Sequence, residues 1–185
     1  MEKNKEAKKR PSAAKRVTAL AMMTAMSVVL GIVCKNLFTF GIYYRFTLEN
    51  LGVIMAGIFV GPVAGAAVGV ASDVISCLLS TNPAVNPILT VGAASVGLVS
   101  GLVFRASSPL GKKGARYAIS AAAAHIIGQV IVKSVGKIIM YGMPWFGVFI
   151  GAGFSAVAAA IEVTVIVMLS KNKQIMGFLN RNDDI

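Results

Sequence analysis

The sequence predicts an all-α integral membrane protein, a bundle of six transmembrane helices with the N- and C-termini on the cytoplasmic side. Three observations carry that prediction. The first is composition: the 185 residues are 56% hydrophobic and only 14% charged, with a mean hydropathy of +0.76. That balance is too apolar for a water-soluble domain, and the chain is too short for more than one bundle. The second is the tract from Arg45 to Gly101. Between Asn50 and Ser72, and again between Val74 and Phe104, there is no charged residue, which leaves Asp73 alone from Asn50 to Phe104. A run becomes a span candidate at about 18 apolar residues, so this tract holds three once it is broken at Gly61-Pro62 and near Thr81-Asn82-Pro83, where turn chemistry places the breaks.

The third observation is where the charge lies. The formal net charge is +11, which in a soluble protein would suggest a nucleic-acid partner. Here fourteen of the eighteen basic residues fall into three clusters. Lys3, Lys5, Lys8, Lys9, Arg10, Lys15 and Arg16 precede the first apolar run. Arg105, Lys112, Lys113 and Arg116 share one short loop, and Lys171, Lys173 and Arg181 follow the last run. An even number of spans puts all three clusters on one face, which the positive-inside rule makes cytoplasmic. Five or seven helices would split them, so the charges select six and the partner is a lipid bilayer rather than nucleic acid.

In chain order, residues 1–16 form a basic cytoplasmic tail able to lie along anionic headgroups. The first helix covers about Val17 to Cys34. Its flank Ile32-Val33-Cys34 offers neither an A-x-A cleavage site nor the small residues lipidation needs, so the segment is expected to stay in place. Ala21 and Ala25, with Ala14 and Thr18 extending the line, make a small-residue stripe that allows close approach of another helix, inside the bundle or from a separate subunit. The loop from Lys35 to Arg45 carries Phe38, Phe40, Tyr43 and Tyr44, an interfacial aromatic belt or a cover for a flat ligand. The second helix runs from about Thr47 to Gly61, and the third to about Ser80 with Gly65, Gly69 and Asp73 spaced by four. The fourth covers about Asn86 to Phe104, with Ala93, Gly97 and Gly101 on one line. The fifth runs from Tyr117 to Tyr141 and the sixth from Pro144 to Leu169, with Gly147, Gly151, Ser155 and Ala159 aligned. Residues 171–185 form a second cytoplasmic tail, and 17–170 is the membrane domain. Cys34 and Cys77 are expected to act as small hydrophobes with no disulfide.

Polar residues inside spans are costly and mark function or pairing. The fifth helix carries His125, Gln129, Lys133 and Lys137, each four after the last and so along one face. They are read either as snorkelling and packing residues or as a pocket open to the outside with a cationic mouth. Arg45, Glu49 and Asn50 at the outer end of the second helix, and Asn82 and Asn86 between the third and fourth, point to the same place. Tyr43 and Trp145 supply aromatic surface. An elongated anion with a hydrogen-bonding aromatic head suits such a site. Asp73 and Glu162 either pair with basic groups or serve as hydrogen-bonding packing residues.

Catalytic classes find little support. The only Gly-Lys pair, Gly111-Lys112, is followed by Lys113 rather than Ser or Thr, and Ala106 stands where a phosphate-binding loop needs its first glycine. One histidine, no Cys/His cluster and no paired carboxylates leave little for metal or acid–base chemistry. No cofactor is expected, and no catalytic residue is assigned.

The sequence does resemble a known family. The basic tail, the first helix with A-x-x-x-A, then R-x-T-x-E-N-L, A-G-I-F-x-G-P-x-x-G-A-x-x-G-x-x-x-D-x-I-x-C-L-L and N-P-I-L-T-x-G-A are similar to the substrate-binding S component of energy-coupling factor (ECF) vitamin transporters, in its folate-type branch. The resemblance covers the membrane domain and is densest from Arg45 to Gly101. It implies a six-helix subunit that captures a vitamin from outside, with Ala21 and Ala25 meeting a transmembrane coupling protein and two partner ATPases hydrolysing ATP. The sequence departs from the folate-type pattern in its fifth helix, which has His125, Gln129 and Lys133 in place of asparagines, and in the glycine-rich opening of its sixth. The cationic role is then expected on the fifth helix, or the ligand is another vitamin such as pantothenate or a pterin relative. A membrane scaffold that binds no small ligand is the reading from another class.

Overall fold

The computed structural model describes residues 13–37, 39–40, 44–79, 86–111 and 113–172. The helices follow the apolar runs. They are α1 (Ala13–Leu37), α2 (Asn50–Phe59), α3 (Pro62–Leu78), α4 (Pro87–Ala106), α5 (Lys113–Ala124), a π-helical segment (His125–Val132), α6 (Lys133–Tyr141) and α7 (Trp145–Lys171). The π segment joins α5 to α6 without interruption, so residues 113–141 form one rod, the expected fifth helix. Between α1 and α2, strands β1 (Thr39–Phe40) and β2 (Tyr44–Arg45) pair antiparallel, Thr39 with Arg45 and Phe40 with Tyr44. The sequence reading had treated this stretch as loop. Two residues per strand leave no room for the alternating pattern from which a strand is recognised.

The punctuation is local chemistry. At the end of α2 the N–H groups of Val60 and Gly61 both donate to the Ala56 carbonyl, at 3.0 and 3.1 Å. Gly61 then takes φ 137°, a conformation that side chains rarely tolerate, and Pro62 opens α3 where its missing N–H costs nothing. Asn86 caps α4, its Oδ1 accepting from the Ile88 N–H at 3.0 Å ahead of Pro87. Gly142, at φ 62°, closes α6 with its N–H on the Ile138 carbonyl, and Pro144 precedes α7. The predicted break near Thr81-Asn82-Pro83 lies outside the described residues.

Four helices are long and apolar enough to cross a membrane: α1, α4, the α5–α6 rod and α7. Every residue of α2 is buried, and its ten residues rise only about 15 Å, half the hydrocarbon thickness. It is a core helix enclosed by the others. Exposed leucines, isoleucines and valines on α1, α4, α5 and α7 face outward, as expected of lipid-facing surface.

The core is built by backbone contact. A Cβ at Gly65 would stand 2.6 Å from Gly57 Cα and 2.6 Å from the Gly97 carbonyl oxygen, so α2, α3 and α4 touch through glycine where any side chain would hold them apart. Gly69 likewise meets the Ala93 carbonyl. Ser72 and Ser100 turn back onto the carbonyls of Gly69 and Gly97, at 3.2 and 2.9 Å, so their buried hydroxyls need no outside partner. Around this knot pack Val53, Ile54, Ile58, Val68, Val96 and Phe104. Tyr117 of α5 stacks on Phe104 at 5.2 Å, and the Arg116 guanidinium carbon lies 4.4 Å from the centroid of the same Phe104 ring. The knot fixes the N-terminus of α2 in place, and with it the residues that face the α5–α6 rod.

Candidate functional site

The rod carries the polar stripe, and its π segment decides how the stripe is aimed. In the π segment the hydrogen bonds close to the fifth residue back, as between the Lys133 N–H and the Gly128 carbonyl. The wider turn means that a residue four positions on falls short of a full revolution. His125, Gln129 and Lys133 therefore fan out instead of standing in a column, the first toward α7 and the next two toward the start of α2. Gly128 permits this: a Cβ there would lie 3.0 Å from the Val96 backbone nitrogen and 3.2 Å from the Gly92 carbonyl oxygen of α4.

On the α2 side, Gln129 Nε2 donates to Thr47 Oγ1 at 3.1 Å. One turn further on, Lys133 Nζ donates to Glu49 Oε1 at 3.1 Å. Lys133 and Glu49 are each only 7% exposed. The lysine stem is threaded over Gly92, whose hypothetical Cβ would sit 2.5 Å from Lys133 Cγ. Glu49 stands at the N-cap of α2 yet makes no capping bond; its carboxylate is spent on the lysine. A Cβ at Gly31 would be 3.1 Å from Glu49 Oε2 and 3.1 Å from Ser76 Oγ, so α1 and α3 also close on this carboxylate. The next residue, Asn50, is fully enclosed, and its Nδ2 has no hydrogen-bond partner.

On the α7 side, His125 Nε2 lies 2.6 Å from Glu162 Oε2, in the charge-assisted range, and His125 Nδ1 lies 3.3 Å from Ser155 Oγ. Ser155 and Glu162 are seven apart and so share one face of α7. A histidine donating from Nε2 to the carboxylate and accepting the serine hydroxyl at Nδ1 uses both ring nitrogens. Glu162 is 1% exposed, and its second oxygen, Oε1, has no hydrogen-bond partner. The Ser–His–acid order resembles a hydrolytic triad, but Ser155 sits inside a continuous helix whose N–H groups are engaged. Nothing there forms the paired donors an oxyanion needs. Among the described residues no group of three or more His, Cys, Asp or Glu side chains is arranged to hold a metal ion. The group is buried, with one Glu162 carboxylate oxygen and the Asn50 amide nitrogen left unpartnered.

A family model described as "ECF transporter, substrate-specific component" matches residues 15–176. This chain belongs to that family. Two solved structures share the fold of this S component. One is described as the S component of a bacterial ECF transporter, with 19% identity, 92% of this chain and 100% of that one covered, and a TM-score of 0.66. The other is described as the S-component for biotin from an ECF-type ABC transporter, with 17% identity, 90% and 96% coverage, and a TM-score of 0.65. No curated protein matches by sequence. The S component is thus a multi-pass protein of the cell membrane and a substrate-binding subunit of a transporter, not a catalytic one.

Of the residues singled out from sequence, the fold of this S component gathers Glu49, Gln129 and Lys133 at the start of α2, with Asn50 next in the chain, and sets His125 against α7. Lys137 is half-buried one turn beyond Lys133. Asn86 is buried, with its Oδ1 committed to capping α4. Trp145, at 78% exposed, projects from the first turn of α7 and joins none of these groups. Arg45 is placed by backbone pairing in β2; Tyr43 and the other loop aromatics' side chains lie outside what is described. Ala21 and Ala25 are exposed on α1, with Ala14 and Thr18 also exposed, so among the described residues none covers that stripe. Cys34 is buried, and Cys77 Sγ accepts from Lys35 Nζ at 3.7 Å. The sequence left two acids open, and the structure assigns both: Asp73 accepts from Thr90 Oγ1 at 2.7 Å, and Glu162 holds His125. Thr47 and Ser155 were missed. A single hydroxyl carries no signal until the fold sets it beside Gln129 or His125.

Proposed function

We propose that this S component captures a vitamin from the extracellular side, folate first among the vitamins, and delivers it through a transmembrane coupling protein powered by two ATPase subunits. The observation that carries the reading is the buried polar group formed by Thr47, Glu49 and Asn50 against Gln129, Lys133, His125 and Glu162 within a family of substrate-binding subunits. Polar atoms are kept out of a membrane core unless they pair or serve a ligand. Here Asn50 Nδ2 and Glu162 Oε1 do not pair.

The topology that goes with this reading has six crossings, in the order α1, α2, α3, α4, the α5–α6 rod and α7. Residues 1–16 and 171–185 are cytoplasmic tails around a binding domain of 17–170. The short α2 is compatible with it because, enclosed by protein, it needs no lipid-facing length. Arg45, in β2 just before the start of α2, then lies on the outer side of the site.

Charge bookkeeping refines which residues meet an anionic ligand. Lys133 is paired with Glu49, and His125 is hydrogen-bonded to Glu162. The reading puts the ligand's carboxylates at the mouth, on the side of Arg45 and Lys137, and its aromatic head deeper. Asn86 and Trp145 take secondary places at the rim. Native mass spectrometry of the detergent-purified protein tests this directly. A retained or added folate bound one to one is the expected result, with Arg45→Ala weakening folate at least tenfold more than a pterin lacking the glutamate tail. A protein that binds a different vitamin would overturn the substrate, and one that binds none would favour a scaffold.

A further inference from the structure

We propose that Glu162 is a specificity-determining residue that accepts N–H donors from the head of the ligand. The inference rests on the substrate-binding reading above but not on folate as the ligand. Glu162 sits two-thirds of the way along α7, 1% exposed, and its two oxygens are in different situations. Oε2 is fixed at 2.6 Å from His125 Nε2, and the histidine is fixed in turn by Ser155 Oγ at 3.3 Å from Nδ1. The carboxylate cannot rotate without breaking that chain. Oε1, held by the same geometry, is buried with no donor. A carboxylate oxygen has room for two donors, and leaving it unmet in a low-dielectric interior is costly. Such an atom within a substrate-binding subunit is explained if the ligand brings the donors.

The surrounding charges favour this assignment over a purely structural one. Glu49 and Lys133 lie within electrostatic reach of Glu162 but are joined to each other at 3.1 Å, so the lysine does not serve Oε1. Gln129, one turn from His125 on the rod, has its amide nitrogen on Thr47. Asn50 Nδ2, the unpartnered amide donor at the start of α2, is not bonded to Oε1 either. The head group that fits is a ring presenting N–H donors beside a carbonyl, as in an aminopyrimidinone or a cyclic urea. Because the site is built for the donor, a ligand lacking it leaves the carboxylate unmet and is rejected strongly.

The test compares each head with its donor-blocked counterpart on the full-length, detergent-purified protein: folate against 2-desaminofolate, biotin against its ureido-N-methyl derivative, and riboflavin against N3-methylriboflavin. Whichever head binds is expected to lose at least tenfold in affinity when its N–H is removed. In Glu162→Gln that discrimination falls to threefold or less, chiefly through loss of the N–H ligand. Binding of biotin or riboflavin but not folate, with this pattern, would reject folate and keep the role of Glu162. Equal affinities for a ligand and its blocked counterpart in the wild type overturn the role outright, as does failure of all three heads to bind. The comparison in the wild type stands even if the variant does not fold. For a variant that does, a proportional loss for both members of the pair would mark Glu162 as merely structural.

Discussion

At the scale of single residues, the Lys133–Glu49 pair shows how a membrane protein keeps a lysine among helices. The ammonium is carried over Gly92 to a carboxylate 84 positions away in sequence, and the carboxylate gives up a capping bond to receive it. Breaking one side of a buried pair strands the other charge, at about 3–5 kcal/mol, whereas removing both is far milder. Lys133→Met is therefore expected to destabilise the purified protein by about 3 kcal/mol in thermal or denaturant unfolding. The double variant Glu49→Gln/Lys133→Met should recover most of that loss. Simple additivity of the two single effects would show that the groups are not coupled.

At the scale of elements, the glycines divide into two kinds that the sequence displays identically. Gly65 lies where α2, α3 and α4 meet, and a methyl group there would intrude to 2.6 Å from Gly57 Cα. Gly65→Ala is expected to cost about 2 kcal/mol or more, a fall of several degrees in Tm. Gly151 of α7 has nothing within 4 Å of its hypothetical Cβ. Gly151→Ala should leave the isolated protein as stable as before or raise it by up to about 1 kcal/mol through helix propensity. A matching loss of Tm in both variants would contradict this division. The π segment is the other element that matters here, because its wider turn sends His125 to α7 while Lys133 still reaches α2.

At the scale of the whole molecule, α1 presents the stripe of Ala21 and Ala25 outward. Ala21 and Ala25 are exposed on the side away from the core, while Met23, Ser27 and Val28 turn inward. If that face receives the coupling protein, Ala21→Trp/Ala25→Trp should abolish co-purification of the complex while leaving vitamin affinity within about twofold. Loss of vitamin binding in the same variant would place the stripe in the fold instead. The topology has its own check. Single cysteines placed at residues 5 and 178, in a background free of Cys34 and Cys77, should resist a membrane-impermeant thiol reagent in intact cells and react after lysis. Labelling of either one from outside would break the six-crossing arrangement.

The sequence by itself determined that the chain lives in a membrane, where most helices begin and end, and which family it belongs to. Those properties are local: apolar length sets a span, Gly61-Pro62 and Gly142 set ends, and motif spacing survives without the fold. It also put His125, Gln129 and Lys133 on one helix, but on a single face, whereas the fold turns His125 to α7 and the other two to the start of α2. Partnership was decided only in three dimensions. Nothing in the order of residues says that Lys133 meets Glu49, that Gln129 meets Thr47, or that Glu162 holds His125 with one oxygen unmatched. Each of those contacts joins elements brought together by the packing of glycine backbones. A buried charge takes as its partner whatever group that packing sets within about 3 Å, and sequence distance has no part in it.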